Sequence, residues 1–212
     1  MRTSHRTCLS VFWNAFLPNN VVLVQALGLC PILAMGINLR YGVTLSVCTI
    51  VTMGIADLVF AFLAKRLATH LQPLVYVLLS SMLLLGTSVL LHELISTEIY
   101  AHLYLFLPLM AVNTLYVYRS TLSPSATCNR LAVVMADSLG SSLGFSLVLC
   151  VASALREMAI SGTLWQIPLG YDARFPEAAH PFIGFVLLGF MAATLQWLKP
   201  MFRRKEKEDE LL

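Results

Sequence analysis

The chain has 212 residues, of which 58% are hydrophobic and only 12% are charged, and its mean hydropathy is +0.78. Soluble domains carry about 25% charged residues, so this chain has about half the charge that covers a surface in water. The same composition excludes disorder, which requires high charge and few apolar residues. The five cysteines include no Cys-x-x-Cys pair, which argues against a disulfide scaffold or a zinc ribbon. Most of the protein is therefore predicted to lie in lipid.

Six apolar segments are long enough to cross a bilayer core, which is about 30 Å thick and needs roughly 20 helical residues. These segments are residues 21–39, 41–64, 74–91, 100–118, 131–155 and 182–198. Lipid offers the backbone no hydrogen bonds, so spanning segments are helices or closed barrels. The apolar runs are continuous rather than alternating, which favours helices. The sequence predicts an all-α integral membrane protein with a six-helix transmembrane domain over residues 21–198.

Two shorter segments flank this domain. Residues 1–20 begin with basic side chains and continue into a short apolar stretch with Phe12, Trp13 and Phe16. A signal peptide would need a small-residue cleavage site, which this stretch lacks, so we predict an interfacial segment that lies on the membrane surface. Residues 199–212 contain the charge run RRKEKEDE and are predicted to form a charged cytoplasmic tail.

The lysines and arginines are distributed unequally between the two sides of the six predicted spans. Eleven of the 14 fall on the side that holds both termini, and three fall on the other side, namely Arg40, Arg156 and Arg174. Cytoplasmic loops are enriched in lysine and arginine. Both termini are therefore predicted to face the cytoplasm, and the formal net charge of +3 reflects this topology rather than binding to nucleic acid.

Two predicted spans carry a proline near the middle. The first runs VVLVQALGLC and then meets Pro31, and the fourth has Pro108 six residues before Thr114. Proline removes a backbone hydrogen bond from a helix, and ten helical residues at about 1.5 Å each place Cys30 near the membrane midplane. Interrupted helices at matching positions predict two inverted three-helix repeats with broken first and fourth helices, and a site where the repeats meet. The alternative is that proline is simply frequent in membrane helices.

Ionisable side chains inside membrane spans are costly and are candidates for function. Asp57 in the second span and Asp137 in the fifth are candidates for an ion path. For Asp57 the alternative is pairing with a neighbouring subunit; for Asp137 it is helix capping and packing beside the small residues of SLGSSLG. Arg156 and Glu157 close the fifth span, where an interfacial salt bridge is the simplest explanation. The sequence contains no catalytic triad, phosphate loop or zinc motif, so the chain alone is expected to catalyse nothing.

Three stretches resemble elements of one known family, the six-helix membrane subunits of the Rnf (also called Rsx) and Nqr electron-transport complexes. Asn19 and Asn20, followed by LVQALGLCPILA, are similar to the family's NN…LVQ-LGLCP element. LFLPLMAVNT is similar to its I-F-I-P-L-I-V-T-N-C element. From Asp137 onward, LGSSLGFSLVL, ALREM and GTLW resemble the family's D-G-F-S-x-G-x-G stretch, LRE and G-T-L-F. The LREM…GTLW portion and the final HPFIGFVLLG helix point to the E-type Rnf subunit rather than its A-type sister.

This resemblance implies inverted repeats, a bacterial inner-membrane location, and partners in the other complex subunits, especially the A-type sister of opposite orientation. Such complexes couple electron flow between a soluble carrier and NAD to translocation of Na⁺ or H⁺, and in some bacteria they keep the redox sensor SoxR reduced. In the family, one cysteine from each broken helix holds a [2Fe–2S] cluster between the sisters, with thiolates as the expected ligands. Cys30 matches the first of these positions, where Gly28 and Pro31 are expected to shape the broken helix.

The second cysteine position departs from the family pattern, because Thr114 stands there and the sequence reads VNT in place of TNC. A threonine hydroxyl is a poorer iron ligand than a thiolate. Three outcomes are compatible with this change: the cluster lacks one ligand from this subunit, another group substitutes, or this chain carries no cluster. Rival interpretations of the whole chain are a secondary transporter, which also uses broken helices in inverted repeats, and a diverged scaffold subunit without a redox role.

Overall fold

The structure is a computed structural model that describes residues 8–16, 20–63, 66–68, 70–94, 131–165, 167–168, 175 and 179–209. These residues form helices and one short β-hairpin. In chain order the elements are α1 (Cys8–Phe16), α2 (Val21–Gln25), α3 (Leu29–Met35), α4 (Leu39–Leu63), α5 (Gln72–Leu94), α6 (Leu131–Ser161), β1 (Thr163–Leu164), β2 (Ile167–Pro168) and α7 (Pro181–Asp209). The prediction of a helical protein is confirmed for the described residues, apart from the hairpin.

Four described helices are long and apolar enough to cross a membrane. Their apolar spans are Leu39–Leu63, Gln72–Leu90, Val134–Ser161 and Pro181–Pro200. They correspond to the predicted second, third, fifth and sixth spans. The predicted first span is divided between α2 and α3, and the predicted fourth span lies outside the described residues. The six-span count and the inverted repeat therefore stay predictions.

Two boundaries differ from the expected ones. Helix α6 continues six residues beyond the predicted end of the fifth span, to Ser161, and α7 continues through Pro200 to Asp209. After α6, β1 and β2 pair antiparallel with Thr163 opposite Pro168, and Trp165 in the connection has φ 58°. Apolar length predicts where a helix crosses lipid, but polar residues beyond the bilayer can extend the same helix.

Helix α6 is the centre of the described fold, because it contacts α1, α2, α3, α4, α7 and β1. Its most extensive partner is α4, which runs antiparallel to it: Ser46 Oγ lies 3.5 Å from Cys150 Sγ, and Gly42 packs directly against Ser153. The buried apolar core lies along this pair. Its fully buried members include Leu45, Met53, Phe60, Tyr76, Phe145 and Leu149.

Helix α1 packs against the side of α6 at two glycines. A Cβ at Gly140 would lie 2.7 Å from the carbonyl oxygen of Phe12, and a Cβ at Gly144 would lie 2.8 Å from that of Phe16. Small residues let helix backbones approach closely, and these two glycines of the SLGSSLG stretch permit that approach. Trp13 of α1 is exposed. The placement of this segment on the membrane surface stays a prediction, since α1 is described here only by its contacts with α6.

We expect Gly140→Ala to lower the melting temperature of the detergent-purified chain. Alanine normally stabilises a helix interior by about 1 kcal/mol relative to glycine, but at this position its Cβ would collide with the α1 backbone. Gly54→Ala is the matched control, because a Cβ there meets nothing within 4 Å, and it should leave the melting temperature unchanged or raise it. Equal shifts in the two variants would contradict close packing of α1 on α6.

Candidate functional site

The candidate site is built on the interruption between α2 and α3. Helix α2 ends after Gln25, where Ala26 adopts a left-handed conformation (φ 55°, ψ 31°) and donates its N–H to the carbonyl oxygen of Val21. Gly28 is also left-handed (φ 79°, ψ 20°) and is the N-cap of α3. Only glycine adopts this conformation without steric cost. Two left-handed residues within three positions therefore end one helix and start another.

The break lies earlier than the sequence predicted, because the expectation placed it at Pro31 and the helix already ends at Gln25. Pro31 instead lies in the first turn of α3. The N–H groups of a first turn have no partner within the helix, so a proline there loses no hydrogen bond. Proline is thus compatible with the start of α3, and the left-handed residues make the interruption.

Cys30 lies in the same first turn of α3, and its side chain is exposed. The thiol faces outward from the described part of the chain, whereas Cys48 on α4 is buried and Cys150 on α6 is partly buried. The structure therefore places Cys30 where a group outside this chain can reach it. No described group of three or more histidine, cysteine, aspartate or glutamate side chains could hold a metal ion.

The first end of the interrupted helix is fixed by Asn20, which is 2% exposed. Its Oδ1 accepts hydrogen bonds from the N–H groups of Val22 at 3.0 Å and Leu23 at 3.4 Å, which caps α2. Its Nδ2 donates to the carbonyl oxygen of Phe16 at 3.2 Å and lies against Gly144 of α6. Asparagine is a preferred N-cap because its side chain bonds the unpaired N–H groups of a first turn.

The other end is held by Arg156 of α6, which is 1% exposed. Its Nη1 donates to the carbonyl oxygen of Leu33 in the last turn of α3 at 2.9 Å. Its Nη2 donates to the carbonyl oxygens of Ala179 at 2.9 Å and His180 at 3.4 Å, just before α7. The last carbonyls of a helix lack partners within it and carry partial negative charge. One guanidinium therefore joins α3 and the start of α7 to α6.

The next residue, Glu157, bonds the element that follows α3. This side chain is 2% exposed, and its Oε2 accepts the N–H of Leu39 at the start of α4 at 2.7 Å. Its Oε1 accepts the hydroxyl of Thr163 at 3.3 Å. A carboxylate at a helix N-terminus is favourable because the unpaired N–H groups carry partial positive charge. Sequence reasoning assigned Arg156 and Glu157 only a salt bridge and did not find these backbone partners.

Asp57 is 2% exposed within α4, and it pairs inside the chain. The hydroxyl of Tyr76 on α5 donates to its Oδ1 at 2.7 Å, and the Tyr76 ring contacts Phe60 edge to face at 5.0 Å. Asp57 therefore has a hydrogen-bond partner within its own chain, and this bond requires no neighbouring subunit. A role of Asp57 in an ion path stays a prediction.

Asp137 is partly buried on α6 and has an interaction partner. Asp137 lies in the second turn of α6, which begins at Leu131, so it does not cap the first turn of its own helix. Its role in an ion path also stays a prediction. Thr114, the position of the second family cysteine, lies outside the described residues.

Among the described candidate residues, the two aspartates lie far along their helices from the turn between α3 and α4. Asp57 lies about 27 Å along α4 from Leu39, and Asp137 lies about 28 Å along α6 from Arg156, at 1.5 Å per residue. Because α4 and α6 are antiparallel, both aspartates lie at the end of this pair opposite the turn between α3 and α4. The exposed thiol and the two carboxylates are separate features.

Comparison with known proteins agrees with this architecture. The family model described as "Rnf-Nqr subunit, membrane protein" matches residues 8–197. The chain belongs to the Rnf-Nqr family. The match covers every described helix up to the middle of α7.

Curated relatives of this Rnf-Nqr chain are named as the E component of an ion-translocating oxidoreductase complex. The protein of that name from Shewanella loihica is 28% identical over 86% of this chain and 84% of its own length. The one from Shewanella sp. (strain ANA-3) is 28% identical over 93% and 89%. The one from Pasteurella multocida is 28% identical over 74% and 69%. The predicted resemblance to the E-type component is confirmed by these relatives.

We expect Tyr76→Phe to lower the free energy of unfolding by about 1–3 kcal/mol, because it leaves the buried Asp57 carboxyl without this donor. Replacing both partners with apolar groups of similar shape costs less than removing one. The double variant Asp57→Leu/Tyr76→Phe should therefore lose less than the sum of the two single losses. Denaturant unfolding of the four chains in detergent measures this, and additive losses would contradict a coupled pair.

Proposed function

We propose that this chain is the E-type membrane subunit of an Rnf-type complex that couples electron transfer to translocation of Na⁺ or H⁺ across the bacterial inner membrane. Its family membership, the names of its relatives and its four apolar helices support this proposal. Delivery of electrons to the redox sensor SoxR is a further role open to such a complex. The chain itself supplies a membrane scaffold and one redox ligand.

The observation that carries the proposal is an exposed thiol beside a helix interruption. Cys30 is exposed, and so are Val24, Gln25 and Ala26 at the end of α2. Non-helical backbone at membrane depth is tolerated only where protein or a water-filled cavity covers it. In a membrane this face therefore requires a covering protein or a water-filled cavity. We infer that a covering protein is present and is the A-type sister subunit in opposite orientation.

The chemistry of Cys30 fits an iron–sulfur cluster shared across that contact. Thiolates are the usual ligands of [2Fe–2S] clusters, which need four. The described residues contain no group of three or more histidine, cysteine, aspartate or glutamate side chains that could hold a metal ion, and we propose that the sister subunit supplies the remaining ligands. A cluster bound there would supply one-electron transfer. This chain's part would be to hold one thiolate at a fixed place, while Thr114 offers only a hydroxyl at the second family position.

We expect the purified complex to contain iron and to lose most of it in Cys30→Ser, because a hydroxyl replaces the thiolate. Cys150→Ser is the matched control: Cys150 is also a free cysteine but is partly buried on α6, and its replacement should leave the iron unchanged. Iron analysis and visible absorption measure both. Thr114→Cys should raise the iron content or its retention by adding a second thiolate.

The outcomes separate the alternatives. Iron that persists fully in Cys30→Ser would show that Cys30 is not a ligand. A wild-type complex without iron, with no gain in Thr114→Cys, would favour the scaffold subunit without a redox role. Failure to co-purify with other subunits, together with ligand binding by the isolated chain, would favour the secondary transporter.

We expect both termini to lie in the cytoplasm. A green fluorescent protein fused after Leu212 should fluoresce, and alkaline phosphatase fused there should be inactive, because eleven of the 14 basic residues are assigned to that side. The matched fusion after Tyr171, between the fifth and sixth spans, should give the reverse pattern. Active phosphatase at Leu212 would overturn the predicted topology.

A further inference from the structure

We propose that Arg156 and Glu157 are positioning residues that hold the Cys30-bearing helix α3 in place from α6, so that the thiol is presented at a fixed point on the protein surface. This inference rests on the proposed role of Cys30 as a ligand. Neither side chain touches Cys30 in the described contacts, and both act through the backbone of α3 and of the element that follows it.

Helix α3 needs external support because it is short. It has seven residues, from Leu29 to Met35, and helices of this length are not stable in isolation. Its first residue follows a left-handed Gly28 rather than a continuous helix. The direction of α3, and with it the position of Cys30, therefore depends on contacts with neighbouring elements.

Arg156 provides such a contact at the last turn of α3. The planar guanidinium has donors pointing in several fixed directions, and here two nitrogens reach two separate elements. Nη1 bonds the carbonyl oxygen of Leu33, and Nη2 bonds that of Ala179. Because the acceptors are backbone atoms, these bonds fix the path of the chain itself. A lysine has one ammonium and cannot match both directions.

Glu157 acts on the far side of the same turn. Leu33 lies before the turn at residues 36–38, and Leu39 lies after it. Neighbouring residues of a helix point about 100° apart, so Arg156 and Glu157 reach the two sides of this turn from one place on α6. The hydrogen bond from Leu39 N–H to Glu157 Oε2 is 2.7 Å long. Together the two side chains tie α3 and α4 to the same turn of α6.

The opposite end of the interrupted helix is also tied to α6. Asn20 caps α2 and lies against Gly144, twelve residues before Arg156. Cys30 therefore lies between two anchored ends, about 18 Å apart along α6 at 1.5 Å per residue. Burial of a guanidinium in a membrane span costs free energy that an apolar side chain would not cost. The hydrogen bonds that Arg156 donates to α3 and to the residues before α7 hold these elements in position, which explains why a buried charge is present despite its cost.

Pulsed electron paramagnetic resonance on the full chain in lipid nanodiscs tests this directly. One nitroxide is placed on Cys30 and a second on Leu147→Cys, an exposed position of α6, after Cys8, Cys48, Cys128 and Cys150 have been replaced by serine. A reference chain carries labels on Val47→Cys and Leu147→Cys, in α4 and α6, and Cys30→Ser. In the otherwise unchanged protein both distance distributions should be narrow.

We expect Arg156→Met to broaden the distribution of the Cys30 pair and leave the α4–α6 reference pair unchanged. Arg156→Lys should broaden it less, because one ammonium can retain the bond to Leu33 but not both tethers. Glu157→Ala should also broaden it, while Glu157→Gln should restore most of the wild-type width by keeping an acceptor for Leu39. Arg40→Met is the matched control, since this arginine is on the same predicted side and lies over Trp165.

An unchanged Cys30 distribution in folded Arg156→Met would overturn the proposal, and so would equal broadening of the reference pair, which would indicate a general stabilising role. If Arg156→Met does not fold, Arg156→Lys decides, and a wild-type width there contradicts the proposal. The distances do not depend on iron. Absence of Cys30-dependent iron from the complex would overturn the proposed ligand role alone, and the distance measurement would still decide the positioning role.

Discussion

An interrupted helix in an apolar protein leaves backbone N–H and C=O groups that lipid cannot satisfy. The described fold depends on how α6 meets this constraint. Asn20, lying against α6, bonds the unpaired N–H groups at the start of α2, and Arg156 bonds a carbonyl at the end of α3. Glu157 bonds the first N–H of α4. The continuous helix α6 thus holds in place the interrupted segment formed by α2 and α3.

Close packing of small residues makes this arrangement feasible. Gly140 and Gly144 allow the backbone of α1 to lie against α6. Asn20, which follows α1, therefore also lies against α6. Some hydroxyls along the contact between α4 and α6 bond carbonyls of their own helices, as Thr49 does with Leu45 at 2.8 Å and Ser153 with Leu149 at 2.7 Å. Such side chains fill little space and need no partner across the contact. The helices can therefore lie close enough for long side chains at the end of α6 to reach their neighbours.

The sequence predicted the features that depend on local composition. Long apolar runs located the four spanning helices, and the neighbourhood of Cys30 indicated an interruption. The predicted position of the break, at Pro31, is wrong because left-handed Ala26 and Gly28 end the helix first. Asn20 before an apolar run is a recognisable N-cap signal.

The hydrogen-bond partners of the buried Arg156 and Glu157 could not be predicted from local composition. The bond from Arg156 to Leu33 joins residues 123 positions apart, and that from Leu39 to Glu157 joins residues 118 apart. Side-chain chemistry gives the kind of partner that each charge needs, but only the fold gives its identity. The acceptors and donors are also backbone groups, which carry no mark in the sequence.

The candidate residues differ in exposure: Asp57 is buried and Cys30 is exposed, so they need different partners. Asp57 is sealed inside the chain and accepts a hydrogen bond from Tyr76, so its environment is complete without another subunit in this respect. Cys30 is exposed beside an interrupted helix, so in the proposed complex its surroundings would be completed by another subunit. The proposed shared metal centre would need a rigid support behind Cys30, because its two halves would have to meet in one geometry each time they assemble. The buried charged side chains of Arg156 and Glu157 at the end of α6 would meet that need.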